Sequence, residues 1–229
     1  MKAIIKTPTP DIKRSLEFYQ ALEYVIINES SPTLISDGKV VIEIDPDRYA
    51  RAGITFFKDS WKETIDLLNN TTSIIEKDSI LITTDPSGVA VYMKESVELP
   101  VFQLPDNHVA IPGSFSGLSI ESLHFESSLT FWEVFGYQIN MGSKEDGWVA
   151  MTNDTDIGIG IMRYKICPHL FFNPSYTYFN GKENLKVIEN IRKSGVDITE
   201  EITHFNKEGI VDNIIIRDPG GFGYFIFSD

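Results

Sequence analysis

Two stretches of this 229-residue chain repeat each other at a fixed distance. Residues 15–26 read S-L-E-F-Y-Q-A-L-E-Y-V-I and residues 128–139 read S-L-T-F-W-E-V-F-G-Y-Q-I. The offset is 113 residues throughout: it pairs Leu16 with Leu129, Phe18 with Phe131, Tyr19 with Trp132, Leu22 with Phe135, and Tyr24 with Tyr137. A duplicated unit constrains the fold more tightly than composition does, because the architecture must accommodate the same element twice. Both copies carry helical spacing, with Ile12, Leu16 and Tyr19 at i, i+4, i+7, and Phe125, Leu129 and Trp132 likewise. Asp11, after Pro10, is the expected N-cap of the first helix, and Ser127 or Ser128 that of the second.

A second motif also occurs twice. Residues 80–94 contain T-D-P-S-G between two apolar runs, and residues 214–227 contain R-D-P-G-G in the same setting. Each reads as strand, Asp-Pro-x-Gly turn, strand, with Pro and Gly supplying the turn backbone. An amphipathic helix precedes each, marked by Trp61, Ile65 and Leu68, and by Leu185, Ile188 and Ile191. Short strands are expected at 24–27 and 33–36, and Asp37-Gly38 turns the chain into another over 39–45. The order strand, helix, three strands therefore occurs four times, in modules beginning near residues 2, 51, 114 and 174. Residues 98–112, with Pro100, Pro105 and Pro112, form an expected linker. The expected organisation is two α+β domains, residues 1–97 and 113–229, each of two paired modules. A ferredoxin-like tandem is the rival, but it places two helices among four strands in another order.

The chain has 20 Lys and Arg against 33 Asp and Glu, a net charge of −13. That balance excludes general nucleic-acid binding, since an acidic surface repels phosphate. The single cysteine, Cys167, excludes a disulfide framework and suits a reducing compartment. The first residues meet Thr-Pro-Thr-Pro instead of a signal peptide's apolar core, and no apolar run is long enough to span a bilayer. The expectation is a soluble cytoplasmic protein with no nucleic-acid or membrane partner; a homodimer is left open.

Four βαβββ modules, with S-L-x-F-Y on the first helix and D-P-x-G before the last strand, resemble the vicinal oxygen chelate superfamily. That superfamily includes glyoxalase I, bleomycin-resistance proteins and extradiol dioxygenases. The resemblance covers nearly the whole chain outside the linker. It implies that paired modules close curved sheets into cups, here two glyoxalase-like cups. It also implies that metal-dependent members place His, Glu or Gln at four points of a cup, on the first and last strands of both modules. A divalent ion needs several such donors with positions left open for substrate. Counting from the helices, those points fall on Ile4, Glu43, Gly53 and Tyr92 in the first cup. In the second they fall on Gly117, the stretch 158–160 with Asp156 nearby, Tyr176 and Phe225. Only Glu43 is a clear ligand type, and the neighbours Lys2, Lys6, Arg51, Thr55, Gly223 and Phe227 do not rescue a site. No catalytic residue and no cofactor are therefore expected.

His108, His124, His169 and His204 fall at none of these points, and Cys167-Pro168-His169 lacks the third group that orients a nucleophile. Gly158–Met162 alternates like a strand with no helix after it, so it is no phosphate loop. Glu43, Tyr92, Trp148, Tyr176, Tyr178 and Phe225 are the expected ligand-contacting residues of the cups. Three readings stand beside one another. The first is a metal-free binder of a small cationic or aromatic molecule, broadly like bleomycin-resistance proteins. The second is a lyase, isomerase or dioxygenase, metal-dependent or using Glu43 as acid–base. The third is a scaffold whose cups are filled by their own side chains.

Overall fold

The four repeats fold as four modules of strand, helix and three strands. A computed structural model describes residues 1–69, 71–98 and 100–228. Module one is β1 (Lys2–Pro8), α1 (Ile12–Ala21), β2 (Val25–Asn28), β3 (Thr33–Ser36) and β4 (Val41–Asp45). Module two is β5 (Gly53–Lys58), α2 (Lys62–Leu68), β6 (Ile75–Lys77), β7 (Ile80–Thr84) and β8 (Ala90–Glu95). Module three is β9 (Phe115–Ser122), α3 (Phe125–Val134), β10 (Gln138–Ser143), β11 (Trp148–Thr152) and β12 (Gly158–Arg163). Module four is β13 (Ser175–Phe179), α4 (Asn184–Ser194), β14 (Ile198–Ile202), β15 (Asn213–Arg217) and β16 (Gly223–Phe227).

Each half of the chain makes one eight-stranded sheet. The orders are β2-β3-β4-β1-β5-β8-β7-β6 and β10-β11-β12-β9-β13-β16-β15-β14. The two modules of each half meet where their first strands run antiparallel, β1 on β5 and β9 on β13. Between the sheets, the described residues from 96 to 114 carry no helix or strand. Leu99, inside the expected linker, lies outside the described residues. No described helix is long and apolar enough to cross a membrane.

Local chemistry explains most boundaries. Asp11 caps α1, its carboxylate accepting from the Arg14 N–H at 3.1 Å. The expected cap of α3 is corrected: the helix starts earlier, with His124 at the N-cap and no side-chain cap bond. Ser128 is instead buried one turn in, hydrogen-bonded to Ser122 at 2.9 Å. The same bond joins Thr9 and Ser15 at 2.7 Å, so the 113-residue offset preserves a buried hydroxyl pair as well as the helix face.

The two sheets share one core. Alternation sends Ile5, Ile42, Ile54 and Val91 of the first half, and Leu118, Ile159, Tyr176 and Tyr224 of the second, into one buried cluster with the helices. Phe56 stacks on Phe135 from the other half with ring centres 5.2 Å apart. The opposite faces of the two sheets form the cups, which therefore look away from one another.

Buried polar contacts tie the halves together, and the repeated motifs supply them. In the second D-P-x-G turn, Asp218 Oδ1 accepts from the Phe222 N–H. Its Oδ2 accepts from Thr7 Oγ1 at 2.7 Å and Tyr19 OH at 2.8 Å, both in the first half. In the first such turn, Asp85 Oδ1 accepts from the Ser87 and Val89 N–H groups, and Oδ2 from Trp132 Nε1 at 3.3 Å. Tyr19 and Trp132 are equivalent in the repeat, so each first-helix aromatic reaches the turn of the other half. Tyr178 OH donates to Asp37 Oδ2 at 3.1 Å and pairs with Tyr24 OH at 2.6 Å.

Burial pushes the carboxyls of Asp37, Asp85 and Asp218 above their ordinary value, against hydrogen bonds that pull the other way. A carboxyl raised by folding binds its proton more tightly in the folded chain. Its contribution to stability is full below the unfolded pKa and is lost as pH rises through the folded pKa. Chemical unfolding midpoints are therefore expected to rise as pH is lowered from neutrality towards the carboxylate range, and Asp218→Asn to flatten that profile. Asp218→Ala leaves two hydroxyls and one buried N–H without their acceptor, and urea unfolding is expected to show a loss of about 3 kcal/mol.

Candidate functional site

Strand register aligns the two cups residue by residue. Across the first cup runs the row Leu34, Glu43, Lys6, Gly53, Ala90, from β3 to β8. The same row in the second cup is Ala150, Gly160, Ser119, Ser175, Gly223. Lys6 and Ser119 stand 113 residues apart, so these are the same place in the repeat. The neighbouring rows are Ile4, Thr55, Tyr92 and Gly158, Gly117, Thr177, Phe225.

The first cup is filled by its own charges. Lys6, Glu43 and Tyr92 are all buried. The Lys6 ammonium is ion-paired with Glu43 Oε1 and Asp45 Oδ2, and lies over the Tyr92 ring, 4.8 Å from its centre. Burial alone would lower the Lys6 pKa; the Glu43 charge, with Asp45, overrides it and holds Lys6 above its ordinary value. Tyr92 OH accepts from the Arg51 N–H at 3.0 Å and donates to the Arg51 carbonyl at 3.2 Å. That pair of bonds anchors the chain between β4 and β5 onto the cup. Burial raises the Tyr92 phenol as well.

The second cup has a floor of small residues. In place of Glu43 and Lys6 it has Gly160 and Ser119, and Ser119 Oγ pairs with Thr177 Oγ1 at 2.6 Å. Aromatic groups stand at both sides. Trp148 is 39% exposed on β11, leaning on Gly142. Phe225 on β16 is buried in a satellite cluster with Ile202, Ile215, Phe171, Phe172 and Phe227. His169 joins this cluster, its ring 5.0 Å from Phe225 and 5.3 Å from Phe227, and its Nδ1 is 2.8 Å from the Leu170 carbonyl oxygen. The segment carrying His169 is held over the cup at two carboxylates. Glu121 accepts from the Lys165 N–H and Glu200 from the Leu170 N–H, each at 2.7 Å. Burial pushes the Cys167 thiol up to about 11.

The expected contact residues thus separate. Glu43 and Tyr92 lie in the first cup, Trp148 and Phe225 in the second. Tyr176 and Tyr178 are corrected: both face the shared core, Tyr176 stacked on Phe222 at 4.2 Å and Tyr178 bonded to Tyr24 and Asp37. The cup-facing residue of β13 is Thr177. Counting from a helix across a loop fixes a strand position only to within a residue, and one residue exchanges the faces. Lys6, Ser119, Thr177 and Gly160 were not singled out as site residues. The 113-residue offset applied to Lys6 is the signal that leads to Ser119.

The donor set does not fit a divalent ion in either cup. Among the described residues no group of three or more His, Cys, Asp or Glu side chains comes together. The carboxylates of the first cup are engaged with Lys6, and the second offers two neutral hydroxyls bonded to each other.

Gly160 differs from its neighbours in why it is glycine. A Cβ at Gly117 or Gly158 would fall 2.1 or 2.8 Å from a backbone oxygen, whereas at Gly160 the nearest atom is Ser119 Oγ at 3.4 Å. Close strand approach requires the first two; at Gly160 an added Cβ would make only ordinary van der Waals contacts. Gly160→Ala is expected to keep or raise the melting temperature, and Gly117→Ala, at φ +153, to lower it by several degrees.

Solved structures share this architecture. A Mn(II)-bound glyoxalase from Novosphingobium aromaticivorans aligns at TM-score 0.61 and 14% identity, covering 97% of this chain and 79% of that one. The 2,3-dioxygenase LapB from Pseudomonas sp. KL28 aligns at 0.57 and 14%, covering 97% and 89%. A mutant 4-hydroxymandelate synthase from Streptomyces coelicolor aligns at 0.60 and 11%, covering 97% and 90%. At identities this low the likeness shows the fold alone. No protein-family model matches the chain, and no curated protein matches it in sequence.

Proposed function

We propose that this chain, which carries the tandem two-cup fold of the vicinal oxygen chelate superfamily, binds a small organic molecule in its second cup without a catalytic metal. The observation that carries this reading is the floor row Ala150, Gly160, Ser119, Ser175, set between Trp148 and the Phe225 cluster. Small residues at the base of a curved sheet leave volume, and aromatic walls give a flat ligand stacking area. The Ser119–Thr177 pair supplies the hydrogen-bonding groups that orient it. A net charge of −13 favours neutral or cationic molecules over anions.

The first cup supports the scaffold reading for its own half, because Lys6, Glu43 and Tyr92 occupy it. A lyase, isomerase or dioxygenase using a divalent ion would need donors that neither row provides.

Trp148 makes a direct test available, since Trp61 and Trp132 are fully buried. Titration with flat aromatic compounds, neutral, cationic and anionic, is expected to give saturable quenching of Trp148 with the first two classes. Gly160→Leu, which fills the floor, is expected to weaken binding at least tenfold. A panel without a single binder defeats the reading, and stoichiometric divalent metal in the purified protein defeats its metal-free part.

A further inference from the structure

Lys6 and Lys94 together balance the charges of Glu43 and Asp45 in the first cup. Two carboxylates, Glu43 and Asp45, converge on the Lys6 ammonium, with Asp45 Oδ2 at 2.5 Å. The side chains of Lys6, Glu43 and Asp45 keep only 8%, 5% and 16% of their accessible surface. Carboxylates at that depth require a compensating positive charge. A pair of them with nothing between is also a natural oxygen-donor site for a hard divalent cation. Lys94 does not meet the need by itself, since its Nζ is 3.9 Å from Glu43 Oε2 and its side chain is 29% exposed. Lys6 does. It is covalently fixed on β1, directly beside β4, so its effective concentration at the carboxylates exceeds that of a free ion. Tyr92 closes the assembly from one side with its ring face, which attracts a cation.

We propose that Lys6 is the resident cation of the first cup, a covalent stand-in for a divalent ion that pairs with Glu43 and Asp45 and closes the site to metals. The second cup needs no such cation, because Gly160 and Ser119 stand where Glu43 and Lys6 stand in the first. The two cups thus offer no free metal-binding donor set among the described residues, for opposite reasons: in one the carboxylates are held by lysines, and the other is stripped of charge.

The proposal makes the vacant pair of carboxylates a metal site once the ammonium is removed. Wild-type protein, Lys6→Ala and Lys6→Ala/Glu43→Gln are dialysed against Mn2+ or Zn2+, and bound metal is measured by elemental analysis and calorimetry. Lys6→Ala is expected to bind stoichiometrically, the other two at least tenfold more weakly. Unfolding temperatures are read with and without Mn2+, which is expected to raise that of Lys6→Ala and leave the wild type unmoved. Lys6→Gln, similar in length but uncharged, is run in parallel in case truncation prevents folding. If either variant folds and takes up no more metal than wild type, the proposal is overturned. Failure of both to fold even in excess Mn2+ overturns it as well, because the carboxylates then accept no substitute cation. So does wild-type protein holding a divalent ion that Glu43→Gln removes.

Discussion

The two halves are held together by buried carboxylates accepting hydrogen bonds from the opposite half. Asp218 carries the clearest case, with its own turn on one oxygen and Thr7 and Tyr19 on the other. Asp85 repeats the arrangement with Trp132. A carboxylate is costly to bury, and several convergent donors offset that cost only if the partner half is in register. This makes the contact a test of alignment between the sheets as well as a source of stability. The shared aromatic core fills in around it, and the faces turned away from that core are what remain for the cups.

The cups show how one scaffold position yields two chemistries. At the centre of the row, Lys6 and Glu43 make a buried ion pair, while Ser119 and Gly160 make a small neutral floor. In the first case the side chains consume the volume and each other's charge. In the second they are small and neutral, and the surrounding aromatics set the character of the cup. Strand order is the same in both, so at the centre of the row the difference rests on two side chains per cup.

Much of the fold was legible in the chain. The 113-residue offset, the D-P-x-G turns and the helix spacings give four modules, because helix faces, caps and turns are local and repeat whenever the local sequence repeats. The site was legible only in part. Glu43 and Phe225 fall on cup faces as counted. Tyr176 and Tyr178 fall on the opposite face, since strand pairing, with its bulge between Thr177 and Tyr178, decides which alternate residues look inward. The Tyr178 hydroxyl meets Tyr24 and Asp37 from the other half, a partnership with no local trace in S-Y-T-Y-F.

By itself, then, the sequence determined the repeat, the module order, the acidic surface and the poverty of metal-ligand types on the inner strands. These follow from composition and from periodicities of a few residues. Tertiary structure alone decided that the D-P-x-G aspartates bind the first-helix aromatics of the opposite half, that Lys6 answers Glu43 and Asp45, and that Gly160 stands beside Ser119. Each of those depends on residues far apart in the chain meeting at hydrogen-bonding distance. Register between strands and packing between sheets set that distance, and neither is encoded in the spacing along the chain.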